Sequence, residues 1–335
     1  MALFSKELGI DLGTLCTRAA EGNQILLEQP TIAAIVVDEQ KMVAWGDEAA
    51  NMYGRVPESI EVTRPMRNGV IADYEITEYI LQDLIRKISG PMRFFRPNVM
   101  ITVPDGVTSV ERRAVHEAAL QAGSRDAFLI QQPLAAAIGV DLPIGTPSGN
   151  MILCLGAGVT QAAVLAMYGV VTGETLRAGG MALDDAVVSY VRKKYGMIIG
   201  QLTAEQIKIS IGAAVPQDNE QSVEIQGQDQ VTGLPRPITL TTGEVVEAMQ
   251  DPLHDIVETT RRVLEKTPPE LVSDIIDRGI AICGGGALLR GIDKLLTREL
   301  GVPAYLVENP TRCTALGAAK GMGMFGLIRR NLPSA

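Results

Sequence analysis

A glycine-rich turn occurs three times in this chain, each time directly after an apolar, strand-like segment. The turns lie within residues 9–14 (GIDLGT), 153–160 (LCLGAGVT) and 282–287 (ICGGGA). Glycine lets backbone amides come close to an anion, and such turns commonly cradle phosphate. Two similar strand–turn–strand units far apart predict a duplicated fold with a nucleotide between its halves. The alternative interpretation is that the glycines serve only tight packing of strand and turn.

Size, charge and aromatic content restrict the class of protein. The chain has 335 residues, enough for two domains with sizeable cores. Its net charge of −9 argues against a nucleic-acid partner, because a phosphate backbone requires a basic surface. An aromatic content of 4% also disfavours base-stacking platforms. Lys6 and Glu7 interrupt the apolar start, so no signal peptide is predicted and we expect a cytoplasmic protein.

Residues 151–173 contain no charge and are long enough to cross a bilayer. Four glycines and a break at Met167-Tyr168-Gly169 instead favour a buried β-hairpin. The four cysteines occur singly and without CxxC spacing, which predicts reduced, apolar residues. Because three of them adjoin glycine turns, thiol sensitivity of ligand binding is an alternative.

The pattern of elements repeats in the two halves. We predict strands over 7–20 and 25–37, an amphipathic helix over 73–87, and one long helix over 244–266. Capping boxes are predicted at Thr108 and at Thr203, each three residues before Glu111 or Gln206. Each half also contains a small insertion, near 46–66 and 215–241. Two related α/β domains are therefore expected.

Six ordered motifs resemble the actin-like ATPase superfamily and, within it, the MreB/Mbl bacterial cytoskeletal proteins. They begin at Gly9, Arg64, Pro133, Thr203, Glu265 and Cys283 and span nearly the whole chain. The resemblance implies an actin-like α/β fold, a ribonuclease H-like duplication with two lobes, each with a small insertion subdomain, and a nucleotide cleft between them. The implied subdomains are IA (1–31, 67–146 and 311–335), IB (32–66), IIA (147–181 and 243–310) and IIB (182–242).

The resemblance also implies ATP or ADP with Mg²⁺ in the cleft. Asp11 would hold Mg²⁺ through water, and the glycine turns would contact phosphates, ribose and adenine. The implied cofactor-binding residues are Asp11, Gly13, Thr14, Leu15, Cys16, Ala157, Gly158, Val159, Glu205, Lys208, Gly284, Gly285, Gly286 and Ala287.

The sequence departs from the family pattern where relatives organise Mg²⁺ and the attacking water. Gln132 and Val159 occupy the water-activating (catalytic) positions, and the family's usual Asp is replaced by Cys154 and by Met181. An amide orients water but cannot accept its proton as a carboxylate can, and valine has no hydroxyl. We therefore expect weak or impaired hydrolysis. A fully active ATPase remains an alternative, since actin itself positions water with a glutamine.

Further expectations follow from the resemblance. Met92, Phe94 and Phe95 lie in a proline-bounded loop, the two phenylalanines between arginines, and would contact the inner face of the membrane. The alternative is that Phe94 and Phe95 pack into the domain. The implied partners are the chain itself, in double protofilaments, together with RodZ-, MreC- or MreD-type adaptors and an intact MreB. A small-molecule kinase, a DnaK-type chaperone and an FtsA-type protein are less compatible with the motifs and length.

Overall fold

The computed structural model describes residues 6–90 and 96–333. Its strands are β1 Glu7–Leu12, β2 Cys16–Glu21, β3 Gln24–Pro30, β4 Ala33–Val36, β5 Lys41–Trp45, β6 Ile60–Thr63, β7 Met66–Arg67, β8 Val70–Ile71, β9 Asn98–Val103, β10 Asp126–Gln131, β11 Asn150–Leu155, β12 Thr160–Ala166, β13 Gly169–Leu176, β14 Met197–Ile198, β15 Ser222–Asp229, β16 Pro235–Thr241, β17 Ile280–Cys283 and β18 Ala304–Leu306. Its helices are α1 Asp47–Met52, α2 Tyr74–Ser89, α3 Ser109–Gln121, α4 Gln132–Gly139, α5 Gly180–Tyr195, α6 Gln201–Ile211, α7 Thr242–Ala248, α8 Gln250–Lys266, α9 Pro269–Arg278, α10 Ile292–Leu300, α11 Cys313–Gly323 and α12 Phe325–Ile328.

Two five-stranded sheets have the same topology. The first has the order β3-β2-β1-β9-β10 and the second the order β13-β12-β11-β17-β18. In each, the central strand pairs antiparallel with the next strand of its hairpin and parallel with a strand that follows a helical crossover. The predicted duplication is confirmed, and we call the halves built on these sheets lobe I and lobe II. The exact boundaries of the four subdomains remain a prediction.

A shared core joins the lobes. Met100 and Ile130 of the first sheet pack in one apolar cluster with Ile152 and Leu165 of the second, together with α4 and α11. The two helices approach backbone to backbone, since a Cβ atom at Gly317 would lie 1.6 Å from the Ala135 carbonyl oxygen. Larger residues would force these helices apart, so this small-residue contact fixes how the two sheets meet.

The uncharged segment 151–173 forms β11, β12 and most of β13, as predicted. Met167 and Tyr168 adopt left-handed conformations (φ 49° and 61°) in the turn between β12 and β13. Among residues 6–90 and 96–333, no helix combines the length and apolar character needed to span a membrane.

Four local predictions need correction. The predicted strand 25–37 is two strands, β3 and β4, which belong to different sheets. The predicted strand 7–20 is two strands, interrupted by the first glycine turn. Thr203 does not cap a helix, because α6 begins two residues earlier with Gly200 at its N-cap. The predicted helix 244–266 is divided at Met249, and α7 starts with a capping box formed by Thr241 and Glu244. The capping box at Thr108 is confirmed.

Candidate functional site

The first two glycine turns meet between the lobes. Each turn links the central strand of its sheet to the next strand of the hairpin, β1 to β2 in lobe I and β11 to β12 in lobe II. The second turn is closed by the Gly156 N–H donating to the Val159 carbonyl at 2.9 Å. A Cβ atom at Gly158 would lie 2.6 Å from the Thr14 hydroxyl oxygen. The equivalent turns of the two sheets are therefore in contact.

The third turn lies against the second. Gly284 has φ +85°, and a Cβ atom there would lie 2.3 Å from the Leu155 carbonyl oxygen. Only glycine fits this left-handed, crowded position. A short 3₁₀ helix follows over Gly285–Leu288, with Ala287 buried. The third turn is thereby held at the carboxyl end of the second sheet, next to the second turn.

A cavity of about 340 Å³ lies beside these turns. It unites six of the predicted binding residues from distant parts of the chain: Leu15, Ala157, Glu205, Lys208, Gly285 and Gly286. Ile209 and Leu288, 69% and 59% exposed, add apolar surface. The other predicted binding residues do not line this cavity. They lie in the three glycine turns or in the adjacent residues of β1, β2 and the 3₁₀ helix.

Lys208 forms a buried ion pair that the sequence analysis missed. Its ammonium lies 2.7 Å from Asp184 Oδ1 and donates to the Gly180 carbonyl at 2.9 Å. Asp184 is 1% exposed, and burial raises the pKa of its carboxyl to about 6, although Lys208 opposes the shift. The pair joins α5 to α6 behind the cavity. Asp184 lies four residues after Gly180 in α5, and this spacing gives no sign in the sequence that both residues contact Lys208.

Glu205, one turn before Lys208 on α6, is close to the other lobe. Burial lowers the pKa of the Arg64 guanidinium, and the nearby Glu205 carboxylate partly offsets this effect. Arg64 precedes β7 in the chain segment of lobe I. Glu205, which we predicted to face the ribose and adenine, therefore also lies within electrostatic range of Arg64 in the other lobe.

A chain of polar groups connects Asp11 to lobe II. Asp11, 7% exposed, accepts hydrogen bonds at Oδ1 from the Thr102 hydroxyl at 2.7 Å and from the Gln132 amide at 3.2 Å. The Gln132 carbonyl accepts a short hydrogen bond from Gln161 Nε2, and Gln161 Oε1 accepts from the Asp105 N–H at 2.7 Å. Thr102 and Gln161 were not predicted, since single polar residues within apolar strands give no motif.

Two further contacts join the lobes next to this series of hydrogen-bonded polar groups. The Thr175 hydroxyl on β13 donates to the Asp105 carbonyl at 2.8 Å. The Arg177 guanidinium lies 3.1 Å from the Glu111 carboxylate on α3. The pKa of Glu111 is lowered because hydrogen bonds from Thr108 and Arg177 outweigh the effect of burial. The lobes are thus held together by hydrogen bonds and an exposed ion pair in addition to the shared core.

The departures noted in the sequence are visible in the second turn. Val159 is buried and its methyl groups approach Gly69 of lobe I. Cys154 lies opposite Cys283 on the neighbouring strand, with their sulfur atoms 3.3 Å apart. Met181 is the second residue of α5, and its N–H donates to the Ala157 carbonyl. These three positions offer no carboxylate and no hydroxyl to a cation.

All four cysteines are free thiols, as predicted. Burial raises the pKa of Cys16 to about 11, although Arg18 opposes the shift. The contact with Cys154 and burial both raise the pKa of Cys283. A raised pKa disfavours the nucleophilic thiolate form of Cys16 and Cys283.

A second cavity, of about 530 Å³, lies at the α4–α11 junction and is lined by Gly139, Asp141, Tyr305 and Lys320, among others. It contains none of the predicted binding residues and no glycine turn, so we do not assign the nucleotide to it. The predicted membrane residues Met92, Phe94 and Phe95 lie outside the described residues.

The MreB/Mbl protein family model matches residues 5–329. The cell shape-determining protein MreB of Escherichia coli K12 is 43% identical over 332 residues, covering 97% of this chain and 95% of that protein. Mbl of Bacillus subtilis strain 168 is 42% identical over 316 residues, covering 94% and 95%. The chain belongs to the MreB/Mbl family.

Solved structures agree with this assignment. MreB5 of Spiroplasma citri bound to AMPPNP has a TM-score of 0.91 and 29% identity, with 98% of each chain covered. The same protein bound to ADP gives a TM-score of 0.91 at 30% identity. A MamK double helical filament, at 19% identity and a TM-score of 0.78, shares the fold. The predicted actin-like fold is confirmed, and this chain is an actin-like protein of a family of cell shape-determining proteins.

Proposed function

We propose that this chain is a nucleotide-dependent actin-like filament protein that acts in cell shape and in positioning the cell-wall elongation machinery. One observation carries the proposal: the equivalent glycine turns of two duplicated sheets meet between the lobes, beside a cavity rimmed by a third glycine turn. The similarity to MreB5, whose solved structures contain AMPPNP and ADP, supports a nucleotide at this place.

The residues present fit a nucleotide with Mg²⁺. A side chain at Gly158 or Gly284 would collide with neighbouring protein atoms, so glycine lets the turns pack closely around the proposed site. Backbone amides of such glycine turns are suited to binding phosphate. Asp11 uses Oδ1 for Thr102 and Gln132, while its Oδ2 accepts no hydrogen bond within the described part of the chain. That oxygen would hold a Mg²⁺-bound water, and the ion would neutralise phosphate charge. Glu205 and Lys208 would border the ribose and adenine.

We further propose that hydrolysis is weak. Val159 has no hydroxyl, and the Gln132 carbonyl already accepts a hydrogen bond from Gln161. Neither group can take a proton from water, and acid–base assistance is worth about 10²–10⁴-fold in rate. A fully active ATPase with compensating groups is the competing proposal. A small-molecule kinase of the superfamily is not favoured by the similarity to MreB and Mbl.

Assembly and location are also proposals. The double helical filament of MamK, which shares the fold, is consistent with self-association. A heterologous contact that does not close on itself produces an open polymer. Peripheral attachment to the inner face of the membrane would use Met92, Phe94 and Phe95. An intact MreB and RodZ-, MreC- or MreD-type adaptors are the proposed partners.

Three measurements test the proposal. Titration calorimetry with AMPPNP and Mg²⁺ should show saturable binding at one site, and electron microscopy of the same sample should show filaments. Single-turnover phosphate release should be slower than that of an MreB relative measured in parallel. Absence of both binding and filaments would refute the nucleotide-dependent function, whereas equal turnover would refute only the impaired hydrolysis.

A further inference from the structure

The Gln161 side chain of lobe II forms hydrogen bonds with two segments of lobe I. It lies on β12, in register with Cys154 and Thr175, and is 1% exposed. Its carbonyl oxygen accepts from the Asp105 N–H at 2.7 Å, and its amide nitrogen donates to the Gln132 carbonyl. Both polar ends of this buried carboxamide are therefore satisfied across the cleft.

The bond from Gln161 decides which way the Gln132 carboxamide faces. A carboxamide has a donor end and an acceptor end. Since Gln161 donates, Gln132 turns its carbonyl toward Gln161 and its amide toward Asp11, where it donates to Oδ1 at 3.2 Å. The reversed orientation would place two amide groups against each other and a carbonyl against the Asp11 carboxylate.

We propose that Gln161 is a positioning residue of the nucleotide site: it fixes Gln132 as a hydrogen-bond donor to Asp11 and makes this arrangement depend on contact between the lobes. The inference rests on the proposed binding of a Mg²⁺-nucleotide. With Oδ1 held by Thr102 and Gln132, Asp11 directs Oδ2 to the cation. Opening of the lobes would release Gln161, and with it the orientation of Gln132.

Substitution of Gln161 by glutamate distinguishes two roles: orienting the Gln132 carboxamide, and only holding the two lobes together. Gln161→Glu keeps an acceptor for the Asp105 N–H but loses the donor to Gln132. Gln132 would then rotate to donate to Glu and would present its carbonyl to Asp11. Thr175→Val is the matched control, because it removes the hydrogen bond to the Asp105 carbonyl without touching Gln132.

The experiment uses the full chain with Gln161→Glu, Gln161→Leu or Thr175→Val, each with and without Gln132→Leu. Calorimetry gives the Kd for AMPPNP with Mg²⁺, and the Tm without nucleotide reports folding. We expect both Gln161 variants to raise Kd by about tenfold, the loss of one hydrogen bond to a charged group. Thr175→Val should change Kd less than about twofold, and Gln161→Glu should add little when Gln132→Leu is already present.

A second readout needs no nucleotide. Selective ¹⁵N-glutamine labelling, with Gln132→Leu to assign the signal, should show the Gln132 side-chain amide resonance shifting in Gln161→Glu and not in Thr175→Val. An unshifted resonance, or the full effect on Kd in the Gln132→Leu background, would overturn the positioning role. Wild-type protein that binds no AMPPNP would refute the proposed function, while the labelling result would still decide whether Gln161 orients Gln132.

Discussion

The two central turns have the same place in two sheets of the same topology but different chemistry. The turn of lobe I keeps the Asp11 carboxylate and the Thr14 hydroxyl, whereas the turn of lobe II has Ala157 and Val159 and follows Cys154. Asp11 accepts hydrogen bonds from Thr102 and Gln132, while Cys154 contacts another thiol. The glycine-turn backbone is thus present in both lobes, but of these equivalent positions only those of lobe I carry a carboxylate and a hydroxyl.

The largest effect should come from removing the carboxylate of lobe I. Asp11→Asn should weaken binding of AMPPNP with Mg²⁺ by about 10–100-fold, because a group holding a metal-bound water is lost. Calorimetry with Mg²⁺ and with EDTA measures this effect, and the difference between wild type and variant should shrink in EDTA. A loss of the same size in EDTA would show that Asp11 does not act through the cation.

A substitution at the contact between the first two glycine turns should weaken nucleotide binding nearly as much as Asp11→Asn. In Gly158→Ala the new Cβ would lie 2.6 Å from the Thr14 hydroxyl and 3.1 Å from Asn68 Cα. Such overpacking costs about 1–3 kcal/mol, which we expect to appear as lower nucleotide affinity and a lower Tm. Gly326→Ala is the matched control, since its Cβ would meet open space in α12. Equal effects of the two variants would contradict a tight contact between the turns.

Introducing a hydroxyl into the turn of lobe II tests whether its absence limits hydrolysis. Val159→Thr keeps the branched shape and should raise single-turnover phosphate release by about tenfold, within the range of acid–base and positioning effects. Val159→Ala controls for the loss of packing against Gly69 and should not accelerate release. No acceleration in Val159→Thr would mean that the missing hydroxyl does not limit the reaction.

The smallest effects concern a buried carboxylate in each lobe. The pKa of Asp184 is raised to about 6 by burial, although Lys208 opposes it. For Asp83 burial acts in the same direction, but hydrogen bonds from Lys87, Trp45 and Arg86 outweigh it and lower its pKa. Asp184 therefore binds protons more tightly in the folded state, so its contribution to stability is lost as pH rises from about 4 to 6. The contribution of Asp83 is lost instead as pH falls below its unfolded pKa.

We expect Asp184→Asn to make the free energy of unfolding rise more steeply between pH 4.5 and 6, by at most about 1 kcal/mol per pH unit. Asp83→Asn, the control in lobe I, should flatten the profile at lower pH and leave this window unchanged. Urea unfolding at a series of pH values measures both slopes. An unchanged slope in Asp184→Asn would contradict the raised pKa.

Local sequence patterns predicted the parts of the fold that depend on near neighbours. The hairpin through 151–173 and the capping box at Thr108 follow from alternation, turn residues and short-range hydrogen bonding, and both are present. The capping box at Thr203 failed because the same residue types are compatible with a helix interior. In the structure α6 begins at Gln201 and packs against α5 and β15. No local sequence pattern shows these tertiary contacts.

The sequence by itself determined the duplication, the three glycine turns and the loss of polar groups from the second turn. These features depend only on which residues occur and in what order. The presence or absence of a glycine, a carboxylate or a hydroxyl can be read from the sequence without knowing what it contacts. Only the tertiary structure decided that Gln161 reaches Gln132, that Lys208 pairs with Asp184, and that Thr102 supports Asp11. Hydrogen bonds between residues 24 to 91 positions apart depend on how the sheets and helices pack, and no local pattern encodes them.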